Sequence, residues 1–364
     1  MIKRLFSRLT MHIDGFLIAS MAALMLVGLV VLYSASEQNP EKVMSQLVNI
    51  AVALSVMWVV ANIPPQHLLR LALPAYAIGI VLLISVALFG EISHGARRWL
   101  HVGVTRIQPS ELMKIAVPLM LAWYFDRYET TLRVKHYAIA ALLLLVPVGL
   151  IAKQPDLGTA LLITASGFYV IFLAGLSWRI LLGLFVTIAA SMPLLWSVLH
   201  DYQRQRILML LDPSQDPLGS GYHIIQSTIA IGSGGILGKG WLHGTQAHLD
   251  FLPERTTDFI FAVFGEEFGL IGNILLVGMF LVVISRGLLI SANAPTLASR
   301  LLAGSITLTF FTYAFVNMGM VSGILPVVGV PLPLISYGGT SMVTVLLGFG
   351  ILMSIHTHRK LVRT

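Results

Sequence analysis

Apolar blocks of about 20 residues, the length a helix needs to cross a bilayer, alternate with short polar breaks along almost the whole chain. The pattern predicts ten spans, at roughly 15–35, 45–63, 71–90, 109–125, 137–152, 157–176, 178–199, 259–285, 301–321 and 340–356. Two stretches depart from it. Residues 200–257 form a long loop with Pro, Gly, Trp and charge of both signs, yet HIIQSTIAIGSGGILGKGW within it is half apolar. Loops this long are uncommon unless functional or disordered, and this is not the composition of a disordered segment. Short interfacial helices are predicted there. The second stretch, SGILPVVGVPLPLISYGGTS at 322–341, is apolar but carries three prolines, which forbid a regular helix. Non-helical backbone at membrane depth must be buried in protein or line a cavity. No internal repeat and no second domain is visible. Residues 1–364 read as a single polytopic membrane domain, all-α, with about ten transmembrane helices and one large extracytoplasmic loop at about 200–257.

Composition sharpens this. Of 364 residues, 57% are hydrophobic and only 11% charged, against about 25% charged in soluble domains. Mean hydropathy is +0.86, that of an integral membrane protein. The formal charge of +7 does not make a nucleic-acid patch, because the basic residues are scattered over short loops. With the N-terminus inside, the cytoplasmic segments hold Lys3, Arg4, Arg8, Arg70, Arg127, Arg133, Lys135, Arg179, Arg286, Arg300, Arg359, Lys360 and Arg363. The short outside loops hold Lys42, Arg97, Arg98, Arg106 and Lys153. The positive-inside rule then puts both termini in the cytoplasm and the long loop outside. MIKRLFSRLTMHID is basic, leads into a full span and lacks a small-residue cleavage site, so it reads as a start-transfer first helix. With no cysteine, disulfides, thiolate catalysis and Cys-based metal sites are excluded.

The polar residues that remain fall into a few constellations. Where the long loop meets the eighth span, FLPERTTDFIF carries Glu254, Arg255, Thr257 and Asp258. A carboxylate at a water–lipid boundary ionises at little cost and reaches both water-soluble and lipid-attached groups, so Asp258 is a candidate general base. The plainer alternative is that Thr257 or Asp258 only caps the helix, and the macrodipole would then lower the carboxyl's pKa. QPSELMK, residues 108–114, opens the fourth span with Pro109 at a helix start. Glu111 and Lys114 share a face there, either as an ion pair that only orders the helix or as an outside-facing pocket in which Lys114 takes an anion. GARRWL, just before it, adds Arg98.

The long loop offers Arg204, Arg206, His223, Gln226, Ser227 and Lys239. Its basic residues suit either lipid headgroups or a pyrophosphate clamp. GSGGILGKGW is not an ATPase phosphate loop, since Ser233 and Gly240 break the required spacing. Asp156 follows Pro155 in a very short outside turn and reads first as a cap. Glu266 and Glu267, about two turns below Asp258, could pair a buried Arg or line a cavity. No histidine pair has metal-ligand spacing with an acid partner, so no structural zinc is predicted.

At GARRWL, QPSELMKIAVP, QPDLGTA, HDYQRQRILMLLDPSQDPLGSGYHIIQS, AIGSGGILGKGWLHGTQ, FLPERTTDFIFAV and GILPVVGVPLPLISYGG the chain resembles the SEDS family of bacterial membrane proteins, in wording closest to its elongation branch. These long motifs span essentially the whole chain. The resemblance implies a ten-span peptidoglycan glycosyltransferase of the inner membrane. Its substrate would be lipid II, a disaccharide-pentapeptide on undecaprenyl pyrophosphate. Its partner would be a class B penicillin-binding protein within the elongation machinery. The family's proposed catalytic acid falls on Asp258, and its functional polar positions in the fourth span fall on Glu111 and Lys114. Glu254, His223 and Gln226 join Lys114, Arg98, Arg204, Arg206 and Lys239 as candidate substrate-binding groups, and a divalent cation, Mg²⁺ or Mn²⁺, could share the leaving-group charge. Two other classes stay open on the residues alone. A lipid II flippase fits the intramembrane acids and the broken segment, and a scaffold for cell-wall enzymes needs no catalytic acid.

Overall fold

The computed structural model describes residues 11–93, 96–102, 105–154, 156–198, 204, 208–210, 212, 220–248, 252 and 254–358. Arg206 lies outside the described residues. The helices are α1 (Gly15–Ala35), α2 (Pro40–Ala61), the short α3 (Pro65–Arg70), α4 (Ala72–Phe89), α5 (Pro109–Arg127), α6 (Val134–Ala152), α7 (Leu157–Leu173) and α8 (Trp178–Val198). After the long loop's α9 (Ser220–Ser233) and α10 (Thr245–His248) come α11 (Ile260–Ala292), α12 (Leu297–Val321) and α13 (Gly339–Thr357). The ten spans predicted above each have a helix in place, with ends shifted by a few residues. Seven of these are long and apolar enough to cross a membrane. Within the long loop α9 is a regular amphipathic helix, where short helices were expected.

Local sequence explains the helix starts. Asp14 accepts from the Phe16 and Leu17 amides and caps α1, Asn39 caps α2, and Pro109 begins α5. Between α4 and α5 the chain forms strands β1 (Glu91–Ser93), β2 (Ala96–Val102) and β3 (Thr105–Ile107), a small antiparallel meander where the sequence suggested only a loop. Helix α12 is the hub. It is buried along most of its length and packs on α11, α7, α5 and α13.

Helix α11 departs furthest from expectation. It runs 33 residues, about 50 Å at the usual rise, and is broken at Gly269 (φ 65, ψ −161). From Ile260 to Glu267 it is buried on every side, whereas beyond Gly269 Leu270, Ile274 and Leu275 are exposed. The Leu270–Ala292 part alone, about 34 Å long, suffices for a bilayer core. The predicted span at 259–285 therefore joined two elements, a buried half-helix and a lipid-length helix. Apolarity alone cannot separate them.

The segment 322–338 is non-helical, as its prolines require; Val330 and residues 332–336 are buried, while Ile324 and Gly329 are exposed. At the opposite end of the bundle Arg286 pairs with Asp14 at 2.7 Å and meets His356, and His12 stacks on His358 at 4.0 Å. The described residues nearest the two termini thus meet at one end, and the loops carrying Asp258 gather at the other.

Candidate active site

Asp258 sits in a tight turn before α11. Thr257 N and Phe259 N both donate to the Glu254 carbonyl, at 3.1 and 3.2 Å. Glu254 itself is held in the left-handed region (φ 49), uncommon for a side-chain-bearing residue. The Thr257 hydroxyl donates to the Glu254 carboxylate at 2.8 Å. The N-cap position of α11 belongs to Phe259, and no side chain caps it. The capping explanation for Thr257 and Asp258 therefore fails. Without that stabilisation, burial first and the nearby Glu254 charge second push the Asp258 carboxyl up to about 6.

The 322–338 segment closes over this turn. The Ser336 hydroxyl donates to the Thr257 carbonyl at 2.7 Å, and Tyr337 N to the Thr256 carbonyl at 2.9 Å. Gly329 (φ 71) lies so close that a Cβ on it would come within 3.4 Å of Asp258 Oδ2. From the other side α9 presents His223, whose ring stacks on Phe259 with centroids 5.5 Å apart. Burial lowers the His223 pKa despite the opposing pull of Glu254. Gln226 follows one turn later on α9, half-buried.

A second polar cluster lies one turn away along α12. Lys114, 7% exposed, pairs with Glu111 at 2.6 Å and sits 5.3 Å from the centre of the Tyr313 ring. Thr344 donates to the other Glu111 oxygen at 2.8 Å. Beneath Lys114 is a cavity of about 40 Å³ lined by Thr309, Tyr313 and Thr344 among others. It has room for waters but not for a sugar. Outside Glu111 a groove of about 410 Å³ runs between α2, α5 and α13, with Asn49, Gln108 and Thr340 along it. Asp156 caps α7 through the Thr159 amide, as predicted, and also lies 3.8 Å from Arg98 Nε and 3.4 Å from Gln108 Nε2. Val328 and Val330 pack on Gly158 of α7. The Asp156–Arg98 pair and the Asp258 turn thus flank the same segment.

Two candidates go elsewhere. Lys239 pairs with Glu266 at 2.6 Å, and Thr245 N and Gln246 N donate to the same carboxylate. This set clasps residues 235–246 onto the break in α11, where Lys239 N and Gly240 N donate to the Glu266 and Glu267 carbonyls. Glu267 accepts from Ser34 and from Leu242 N, so both acids are engaged in the clasp, with a lysine where an arginine was considered. Arg204 donates to the Trp196 and Ser197 carbonyls and finishes α8. Among the described residues no three His, Asp or Glu side chains converge as a metal cage.

Sequence reasoning missed Asn317, Tyr313, Thr344, Gly329 and Ser336. Asn317 carried a readable signal, since a buried amide in an apolar span is costly and seldom idle. The glycine and the hydroxyls carried none.

Residues 14–361 match the cell cycle protein family model that unites FtsW, RodA and SpoVE. Over 351 residues the chain is 53% identical to the peptidoglycan glycosyltransferase MrdB of Escherichia coli K12, covering 96% of this chain and 95% of that one. It is 31% identical to the peptidoglycan glycosyltransferase RodA of Treponema pallidum, with 95% and 98% covered. Among solved structures, a chain of a peptidoglycan synthase complex that coordinates polymerization and crosslinking superposes with a TM-score of 0.83 at 35% identity, covering 95% of this chain and 99% of that one. The rod shape determining protein RodA of Thermus thermophilus gives 0.72 at 30% identity, with 95% and 98% covered. With its apolar helices and this likeness over almost its full length, the chain is a multi-pass membrane protein and belongs to the FtsW/RodA/SpoVE family of cell cycle proteins.

Proposed function

We propose that this chain is a peptidoglycan glycosyltransferase that polymerises lipid II on the outer face of the bacterial cytoplasmic membrane, with Asp258 as its general base. Both termini lie in the cytoplasm, and a class B penicillin-binding protein of the elongation machinery is its partner. The observation that carries the reading is the Asp258 carboxyl. It is partly buried, uncapped, raised to about 6 and set at the mouth of the bundle beside a segment of non-helical backbone. A base with its pKa just under working pH is mostly ionised yet still basic, which is near the optimum for proton abstraction.

The 4-hydroxyl of one sugar attacks the anomeric carbon of the growing strand's muramyl unit. Its proton passes to the Asp258 carboxylate as the new C–O bond forms. The bond from the anomeric carbon to the phosphate oxygen breaks, and undecaprenyl pyrophosphate leaves with the electron pair. The anomeric centre gains oxocarbenium character, and cations offset the charge of the leaving group. Lys114 and Arg98 are the cations assigned to this task, and each already faces a carboxylate, Glu111 or Asp156, that an incoming anion would displace. His223, Gln226 and Glu254 bind neutral parts of the substrate. Lys239 and Arg204, held by Glu266 and by the end of α8, are assigned to structure.

The test is polymerisation of labelled lipid II by the purified chain with its partner, wild type beside Asp258→Asn. Long glycan strands from the wild type, and at least a 10²-fold loss in a folded, partner-bound variant, are expected. Near-normal polymer from Asp258→Asn would sink the assignment. Lipid II movement across vesicles by a wild type that makes no polymer would replace it with transport.

A further inference from the structure

Asn317 stands on α12, fully buried, one turn beyond Tyr313. Its Nδ2 donates to the carbonyl of Asp258 at 2.8 Å and to the carbonyl of Val330 at 2.7 Å. Both partners are carbonyl oxygens, so only the NH₂ end can face them, and the amide orientation is fixed by chemistry. One side chain thus joins the backbone of Asp258 to the segment whose Gly329 lies against the Asp258 carboxylate. Ser336 and Tyr337 make the same join at Thr257 and Thr256. No cap anchors this turn to α11. The anchoring comes sideways, from the hub helix.

A buried amide is costly unless its polar atoms are paired. Asn317 spends both N–H donors on these carbonyls while its Oδ1 finds no partner among the described residues, so the side chain is kept at a cost. Both donors act on a turn that carries the reacting group. We propose that Asn317 is a positioning residue: by tying Asp258 to Val330 it sets the reach of the carboxylate and keeps the 328–330 turn closed over it. The proposal rests on the reading of Asp258 as general base. It concerns a residue that touches no substrate. A catalytic group misplaced by about 1 Å can lose about 10²-fold in rate, and a turn held by only a few hydrogen bonds can move that far when one side chain is cut.

The charged group that acts on Asp258 is Glu254 on its own turn. Around that turn, His223 of α9 stacks on Phe259, Tyr337 of the covering segment binds the Thr256 carbonyl, and one turn back along α12 Tyr313 sits beside Lys114. Arg255 is engaged by Glu37. None of these is altered by changing Asn317.

The experiment is the pH dependence of lipid II polymerisation by the full chain with its penicillin-binding partner, comparing wild type, Asn317→Leu and Asp258→Asn. Asn317→Leu keeps the volume and removes both donors. It is expected to lower kcat about 10²-fold with little change in KM. Its acidic limb should move below that of the wild type, because an opened turn admits water to the carboxylate. Wild-type kcat, or a limb that stays in place while the rate falls only with the folded fraction, would overturn the proposal. Should Asn317→Leu fail to fold, Ser336→Ala cuts the same segment from Thr257 and must shift the limb in the same direction; an unmoved limb there overturns it too. Asp258→Asn separates the two readings. Polymer from that variant removes the general base itself, whereas an inactive Asp258→Asn beside a wild-type-like Asn317→Leu removes only the positioning role.

Discussion

Asp258 is held in a state that works against the fold. Its carboxyl titrates near 6 in the folded protein, above the ordinary 3.8, because burial and Glu254 disfavour the charge. A group whose pKa is raised by folding binds its proton more tightly in the native state, so ionisation above pH 6 lowers stability and the penalty vanishes as pH falls towards the unfolded value. Asp258→Asn removes the penalty. Its thermal midpoint in detergent is expected to exceed that of the wild type at pH 7.5, with the gap closing as pH falls through 6 and gone near 4. A variant that melts below the wild type throughout this range would show that the carboxylate supports the fold. Activity bought with stability is common at active sites. At this scale the sequence was informative about charge: Asp258, Glu111 and Lys114 stood out because few charged residues lie near spans. It was silent on Gly329 and Ser336, whose roles come from the Asp258 carboxylate and the Thr257 carbonyl brought near them by the fold.

Helix α11 and its clasp show what an element-length pattern leaves out. Apart from Glu266 and Glu267 the stretch is apolar on both sides of Gly269, yet the residues before it are buried all round and those after it face outward. Such a break frees backbone groups that need new partners. Residues 235–240 supply them, with Leu270 N donating to the Gly235 carbonyl and Ile271 N to that of Ile236. Glu266, fully buried, is balanced by Lys239. Lys239→Met should therefore cost about 3 kcal/mol, the low end for breaking a buried pair, since Lys239 keeps some solvent. Chemical or thermal unfolding would read the loss, and the double variant Lys239→Met with Glu266→Gln should recover most of it. An unshifted unfolding curve for Lys239→Met would return this lysine to the candidate phosphate ligands. Sequence placed Lys239 among the basic residues of a loop and could not see its partner 27 positions away.

For the whole molecule, the charge asymmetry of the loops and the positions of the spans lead to one orientation. The Asp14–Arg286–His356 cluster marks the end with the termini, and Asp258 the end with the long loop. The natural absence of cysteine makes this simple to check. A cysteine at His243 should react with an impermeant maleimide in intact spheroplasts, and one at Met11 only after permeabilisation; the reverse pattern would invert the topology. What the sequence by itself determined is everything that depends on local apolarity and charge. The apolar helices, the proline-broken segment, a helix within the long loop and the charged residues at the mouth all follow from composition over windows of one helix length. Only the tertiary structure decided which polar groups meet. The pairing of Lys239 with Glu266 and of Asn317 with two carbonyls joins residues far apart in the chain, and such long-range pairing leaves no local period to read. The same holds for the carboxyl of Asp258, because its raised pKa is a property of the protein packed around it.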